Sequence, residues 1–361
     1  MSGLEAVLRD QRIVLCGGSG GVGKTTTAAA LGLLGASLGL ETLILTIDPA
    51  RRLANAMGLE HIEPHPQRLP EAPNLSVMML DAGQTFDALV ARHAKTEDSA
   101  KAFLANPYYQ QISATVAGSR EFMAMEQIHE LAQDEQFQLV IVDTPPTQHA
   151  LDFLNAPKRL IELLDGTGLG MVIRASSFAN RMSFGMLGHT QNQFARFFEA
   201  LTGHRLMLDL NDFFETFADV IQSFKKRAAS LQALLRSEDA AFLLVLTPAE
   251  ELAEGTERYL ARLTEEQMTV RGIVFNQVHE IQSCPVSAEV LRAGEAEGLP
   301  RELVRRALEC HAHWFASSEN EARLIAPWHE RGLTCVRVPR LPGNIASLDE
   351  LRRISSALAT A

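Results

Sequence analysis

The sequence lacks three features, and each absence excludes a class of protein. Its 361 residues include only 4 cysteines, Cys16, Cys284, Cys310 and Cys335, too scattered for a disulfide scaffold or a zinc ribbon. A net charge of -11 argues against nucleic acid as the main partner, because binding a phosphate backbone requires clustered Lys and Arg. No apolar run is long enough to span a bilayer. The first ten residues carry charges where a signal peptide needs an apolar run, so a soluble cytoplasmic protein is expected.

What remains is ordinary globular composition, with 46% hydrophobic residues to build a core. Short apolar runs alternate with helical patterns, which predicts an α/β fold with a doubly wound, mostly parallel sheet. A helix is expected over 25–38. Strands are expected at 12–16, 42–47, 75–80, 139–142, 241–246, 272–275 and 334–338.

Two long stretches interrupt this alternation. Residues 84–135 and 151–237 contain helical patterns and no convincing strand. The prediction is one domain over residues 1–361, with these two stretches forming a helical subdomain inserted into the sheet framework.

A glycine-rich loop is the strongest single motif. Gly18-x-x-x-x-Gly23-Lys24-Thr25 follows an apolar strand and leads into an Ala-rich helix, which is the context of a P-loop NTPase. Lys24 would reach the β- and γ-phosphates of ATP, and the Thr25 hydroxyl would bind Mg²⁺. The alternative, a tight turn without a ligand, has no use for Lys-Thr at that point. The nucleotide-binding residues expected here are Gly18, Ser19, Gly20, Gly21, Val22, Gly23, Lys24, Thr25 and Thr26.

Two aspartates follow predicted strands and are expected at the same edge of the sheet. Asp48 and Asp143 would both face the phosphates, since ligands of open α/β sheets collect beyond the carboxyl ends of the strands. An acid there can orient the attacking water or hold the water shell of Mg²⁺, so both join Thr25 as predicted metal-site residues. The alternatives are a helix N-cap for Asp48 and a turn residue for Asp143.

These motifs together resemble one family. The loop, Asp48-Pro-Ala and the string Asp143-Thr-Pro-Pro-Thr-Gln-His are similar to the arsenical pump-driving ATPases, a family that includes the targeting factors for tail-anchored membrane proteins. The resemblance implies that Asp48 activates water, with Lys24 stabilising charge, and that Asp143 senses the γ-phosphate. It also implies that Asn276 contacts adenine and that Pro339 to Pro342 form a second adenine-side loop.

The resemblance further implies how such a protein works. ATP and Mg²⁺ would close a dimer, and hydrolysis would rearrange the helical subdomain, which would capture and release a hydrophobic helix delivered to a membrane receptor. Two alternatives stay open. One is an ATP-gated regulatory or assembly subunit with no hydrophobic client, and the other is an energiser of an arsenite pump.

The chain departs from the family at two places. Ser19 stands where relatives carry a second lysine that reaches the nucleotide of the partner subunit, which implies a slow homodimer or a heterodimer with a paralogue that supplies the lysine. Cys284 is alone where relatives carry a Cys-x-x-Cys pair for zinc, and one Cys per subunit is too few. The three-thiolate arsenite pattern has no match among the four cysteines.

The apolar segments of the second half support different expectations. Nine of the 17 phenylalanines lie between Phe178 and Phe224. Residues 213–224 have the spacing of an amphipathic core helix. The Gly- and Met-rich residues 166–188 suit either a client-binding surface or plain lid packing. The C-terminal run 348–358 is expected to pack on the body, without direct membrane insertion.

Overall fold

The computed structural model describes residues 3–48, 51–93, 120–145, 229–280, 296–343 and 347–360, together with 101, 104, 226–227, 292–294 and 345. The strands are β1 Ile13–Gly17, β2 Thr42–Thr46, β3 Gln67–Leu69, β4 Ala72–Met79, β5 Leu139–Asp143, β6 Ala240–Leu246, β7 Val270–Val278 and β8 Thr334–Pro339. The helices are α1 Gly3–Asp10, α2 Lys24–Ser37, α3 Arg51–Ala56, α4 Ala82–His93, α5 Arg120–Gln133, α6 Glu250–Glu265, α7 Arg301–His329 and α8 Leu348–Ala359.

The eight strands form one sheet in the order β3-β4-β2-β5-β1-β6-β7-β8. Every pairing is parallel except that of β3 with β4. Every residue of β1, β2, β5 and β6 is buried, as expected of parallel strands that are covered on both faces. The predicted α/β fold with a mostly parallel sheet is confirmed, and all seven predicted strands are present.

The edge strand β3 was not predicted. Its three residues, Gln67, Arg68 and Leu69, give neither an alternating pattern nor an apolar run. Its pairing with β4 also shifts in register after Arg68. Such a short strand exists because the chain turns back beside β4, and three residues carry too little pattern to reveal that.

Helix α2 runs directly after the glycine-rich loop and packs against the centre of the sheet. Ten of its 14 residues are buried, and most of them are Ala, Leu or Gly. A Cβ on Gly32 would lie 2.5 Å from Cδ1 of Ile44, and one on Gly35 would lie 2.7 Å from Cδ2 of Leu139. The small residues therefore let α2 approach β2 and β5 closely, which fixes the position of its N-terminus.

The C-terminal helix α8 packs on the body of the protein, as predicted. It contacts α2 and β8, and it buries Leu351, Ile354 and Leu358. Its start is fixed by a capping box in which Ser347 accepts from the backbone N–H of Glu350 and the Glu350 carboxylate accepts from the Ser347 backbone.

The chain divides into two compact units. The first contains residues 1–79, 134–151 and 234–361 and holds all eight strands, and the second contains residues 80–133 and 152–233. In the second unit α4 packs on α5, and the carboxylate of Glu126 pairs with Arg227. The residues singled out at 166–188 and 213–224 lie outside the described residues, so the helical subdomain over 84–135 and 151–237 stays a prediction. None of the described helices is long and apolar enough to cross a bilayer.

Candidate active site

Three central strands bring the polar residues of the site into one row. Asp143 at the end of β5 pairs with Cys16 of β1 on one side and with Thr46 of β2 on the other. Residues paired in this way point to the same face of a parallel sheet, so Thr46 and Asp143 lie side by side. The register therefore places the Asp143 carboxylate next to the loop that follows β1.

The loop after β1 ends at Gly23, which occupies the N-cap position of α2 without a side-chain cap. Gly23 has φ 92° and offers no side chain to the first-turn N–H groups of the helix, and no acidic residue occupies that turn. These backbone groups and the positive end of the helix dipole together form an anion-binding terminus. A Cβ on Gly23 would overlap the side-chain amide of Asn276, so only glycine fits at this position.

Lys24 is buried inside the loop. It is only 8% exposed, and its Nζ donates to the Ser19 backbone carbonyl at 2.9 Å. Burial lowers the pKa of the Lys24 ammonium below its ordinary value, while the nearby charges of Asp143 and Asp48 act in the opposite direction. The hydrogen bond to Ser19 holds the ammonium at the glycine-rich loop and leaves it with further N–H donors.

Asp143 is the second buried charge, and its two oxygens have different surroundings. Oδ2 accepts from the Thr25 hydroxyl at 2.7 Å and from the Thr46 hydroxyl at 3.2 Å. Oδ1 is buried and has no hydrogen-bond partner among the described residues. Burial raises the pKa of the Asp143 carboxyl to about 6, against the opposing effects of the Thr25 hydrogen bond and the Lys24 charge.

This arrangement suits a hydrated Mg²⁺ ion. Hydroxyl and carboxylate oxygens are the ligands that Mg²⁺ prefers, and the ion usually keeps several of its waters. The unpartnered Oδ1 of Asp143 is an acceptor that such a water would satisfy, and the Thr25 hydroxyl is an oxygen ligand beside it. Elsewhere, no three His, Cys, Asp or Glu side chains gather into a metal-binding group within the part of the chain that the structure describes.

The residue after Asp143 fixes the start of the second aspartate segment. The Thr144 hydroxyl donates to the Cys16 carbonyl at 2.7 Å, and both residues are buried. Asp48 lies two residues beyond the end of β2 and is exposed. The Thr46 hydroxyl also lies 3.1 Å from the Asp48 carbonyl oxygen, so it stands between the two aspartate segments.

Asn276 joins the far side of the loop to β7. Its side chain is buried, and its Nδ2 donates to the Val22 carbonyl at 2.8 Å. The resemblance predicted an adenine contact for Asn276, and this hydrogen bond leaves its Oδ1 as the available acceptor. The adenine contact itself stays a prediction.

The predicted second adenine-side segment follows β8. Pro339 pairs with Val278, and the Arg340 N–H donates to the Val278 carbonyl at 2.9 Å, which extends the contact between β7 and β8. Pro342 lies exposed in the following turn. Both prolines are thus on the chain beside the end of β7, and their contact with a nucleotide stays a prediction.

The structure brings several of the predicted site residues together and adds one that the sequence did not reveal. Lys24, Thr25 and Asp143 lie together. Thr46 was missed because a threonine in an apolar strand is common, although it is the last residue of β2 and precedes Asp48 by two positions.

The strand, loop and helix unit with Lys24, Thr25 and Asp143 at the carboxyl ends of parallel strands defines the class of P-loop NTPases. The chain belongs to the ArsA ATPase family: the family model described as anion-transporting ATPase matches residues 11–293. It is therefore an ATPase, with nucleotide use implied by its family.

Curated relatives agree with this family. An ATPase ASNA1 homolog of Entamoeba histolytica is 28% identical over 308 residues, which cover 82% of this chain and 86% of the relative. The homolog of Entamoeba dispar is 28% identical over 290 residues, covering 78% and 81%. An ATPase GET3 of Ajellomyces dermatitidis is 26% identical over 269 residues, covering 74% and 73%.

Proposed function

We propose that this ATPase binds Mg-ATP through loop residues 18–26 and uses the bound nucleotide to switch a dimer between two states. The observation that carries the proposal is the cluster of Lys24, Thr25 and Asp143 at the uncapped N-terminus of α2. Lys24 would stabilise charge on the β- and γ-phosphates. Thr25 and Asp143 would hold the hydrated metal, and Asp48 would contact only the outer water shell of the metal. When bound, Mg²⁺ neutralises charge on the phosphate oxygens.

Lys24 tests the nucleotide function most directly. Lys24→Met removes the ammonium and keeps an unbranched side chain that is one atom shorter. It is expected to lower kcat/KM for ATP by at least about 100-fold, since one preorganised donor contributes this much. Lys226→Met, at an exposed helical lysine, is the control. ATP hydrolysis by Lys24→Met at the rate of this control would contradict the proposed site.

Asp48 is proposed to orient the attacking water. It is exposed at the end of the β2 segment, and its charge acts on Lys24, so it lies near the phosphate side of the loop. Asp48→Asn is expected to bind Mg-ATP like the wild type and to hydrolyse it slowly, which single-turnover kinetics separates from binding. Equal loss of binding and hydrolysis would assign Asp48 to nucleotide binding instead.

The output proposed for the switch is capture and release of a hydrophobic protein segment, followed by delivery to a membrane receptor. The support is family membership and the Gly- and Met-rich sequence at 166–188. The test traps the ATP state with Asp48→Asn in the native host and identifies the copurifying proteins. Proteins with a single terminal apolar helix would support targeting, whereas a soluble assembly alone would favour a regulatory subunit. The cytoplasmic location expected from the sequence belongs to the same proposal.

The family description, anion-transporting ATPase, suggests a second candidate function, which is to energise an anion pump. Arsenite would need three thiolates in one place. Cys16 is on β1 and Cys335 is on β8, three strand spacings apart or about 14 Å across the sheet, while Cys310 is exposed on α7. Burial also raises the pKa of the Cys16 thiol, which keeps it protonated. Stimulation of ATP hydrolysis by arsenite or antimonite would nevertheless revive this role.

A further inference from the structure

Strand β7 contains one extra residue at its carboxyl end. Phe275 pairs with Arg337 and Val278 pairs with Pro339, so three residue steps along β7 correspond to two along β8. This mismatch is a β-bulge at Asn276 and Gln277. Bulges concentrate beside functional sites because they re-aim side chains.

Gln277 supplies the unusual backbone conformation of the bulge. Its φ is 61°, in the left-handed region, and its side chain is exposed. That region is unfavourable for a residue with a Cβ, so the surrounding structure must hold it in place. Among the described residues, Gln267 is the only other non-glycine with positive φ, at 59°, in the turn between α6 and β7.

The residue directly before Gln277 contacts the phosphate loop. Asn276 is 6% exposed, and its Nδ2 donates to the Val22 carbonyl across the gap where Gly23 has no Cβ. Asn276 follows four regular pairs of β7 with β8, from Gly272 to Phe275, and the register shifts between Phe275 and Val278. The bulge therefore interrupts the regular strand at the residue whose side chain contacts the loop. The left-handed residue Gln277 therefore lies directly after the residue that contacts Val22.

We infer that Gln277 is a positioning residue for the nucleotide site: its left-handed conformation forms the bulge that keeps Asn276 against Val22 and so holds the phosphate loop in its binding shape. The inference rests on the proposed function, in which loop residues 18–26 bind Mg-ATP. Gln277 itself is exposed and acts through the backbone, so its side-chain chemistry is not required.

Matched substitutions at the two left-handed glutamines test this role. Gln277→Val disfavours positive φ and is expected to weaken Mg-ATP binding about tenfold, as measured by isothermal titration calorimetry. Gln277→Gly keeps positive φ accessible and is expected to bind within about twofold of the wild type. Gln267→Val carries the same backbone penalty away from the loop, so its Tm should fall while its affinity for Mg-ATP stays unchanged.

Equal Mg-ATP affinities of Gln277→Val and Gln267→Val would overturn the inference. If Gln277→Val does not fold, Gln277→Ala and Gln267→Ala replace the pair, since alanine carries a smaller penalty at positive φ.

The effect of Gln277 must also pass through Asn276, so Gln277→Val should cause no further loss of Mg-ATP affinity in an Asn276→Ala background. A full additional loss of affinity there contradicts the role of the bulge. A wild type that fails to bind Mg-ATP refutes the nucleotide function, whereas a wild type that binds no better than every Gln277 variant refutes only this inference.

Discussion

The Thr46 hydroxyl has one hydrogen and two acceptors within reach, the Asp143 carboxylate and the Asp48 carbonyl. The two oxygens lie 3.2 Å and 3.1 Å away, and Thr46 is fully buried. A carboxylate accepts the stronger hydrogen bond, so the hydroxyl favours Asp143 when that group is ionised. Thr46 therefore links the strand end before Asp48 to the carboxylate that holds Thr25.

Thr46→Val removes this donor and keeps the shape of the side chain. We expect ATP hydrolysis to fall at least about tenfold, because a buried hydrogen bond to a charged group contributes more than about 1.5 kcal/mol. Thr46→Ser should retain most of the activity. Thr42→Val is the matched control, because Thr42 is also fully buried on β2 and its hydroxyl donates to the Leu40 carbonyl. Equal losses in the two valine variants would show that Thr46 contributes to packing alone.

Asp143 also predicts how stability depends on pH in the absence of nucleotide. The pKa of the Asp143 carboxyl is about 6 in the folded protein, against an ordinary value of 3.8, so the folded protein binds this proton more tightly than the unfolded chain. The contribution of Asp143 to the free energy of unfolding is therefore highest below pH 4, and it falls as the pH rises to 6. The full change is roughly 3 kcal/mol.

Asp143→Asn lacks this titration, so its stability relative to the wild type should rise between pH 4 and pH 6 and then stay constant. Urea unfolding at several pH values measures the difference directly. The exposed Asp239→Asn controls for the amide substitution itself. A constant difference in stability between wild type and Asp143→Asn across this window would mean that burial does not raise the pKa of the Asp143 carboxyl.

At the scale of elements, the close contact of α2 with the sheet makes a clear prediction. Gly32→Ala would place a Cβ 2.5 Å from Cδ1 of the buried Ile44, and overpacking of this kind costs about 1–3 kcal/mol. Gly255→Ala on α6 is the matched control, since nothing lies within 4 Å of its Cβ position. Alanine there should raise the free energy of unfolding by about 0.5–1 kcal/mol. Thermal unfolding of both variants should therefore give Tm changes of opposite sign.

The sequence predicted the helices and strands better than the pairing between strands. β1 and β5 were predictable because buried parallel strands are continuous apolar runs, and α2 was predictable because the glycine-rich loop precedes it. The β7 bulge was not, because Phe275, Asn276 and Gln277 look like an ordinary strand end and the extra residue is defined only by pairing with β8. The row of Thr46 beside Asp143 likewise depends on strand register, which is set by pairing between distant segments.

At the scale of the whole molecule, the site lies at a topological switch point, where successive strands are added on opposite sides of β1. β1 is central, with β5 and β2 on one side and β6, β7 and β8 on the other. The loop after β1 is therefore backed by strands from both sides, and a ligand there can be contacted from β2, β5 and β7 together. The sequence located Lys24 and Thr25 because their motif is local, whereas Asn276 and Val22 are 254 positions apart in the chain and meet only through the fold.

Ser19 makes the last prediction, which concerns the assembly. Its carbonyl accepts from Lys24 within one chain, and its half-buried side chain carries no charge to offer a second subunit. If the protein works as a homodimer with a missing cation, Ser19→Lys should raise kcat for ATP, with a larger effect at protein concentrations where the dimer forms. Ser19→Met controls for side-chain size.

If the purified wild type already hydrolyses ATP rapidly and Ser19→Lys adds nothing, the missing-lysine hypothesis fails. If Ser19→Lys is inactive alone and the wild type is activated by a copurifying paralogue, the lysine comes from that partner, and the functional unit is a heterodimer.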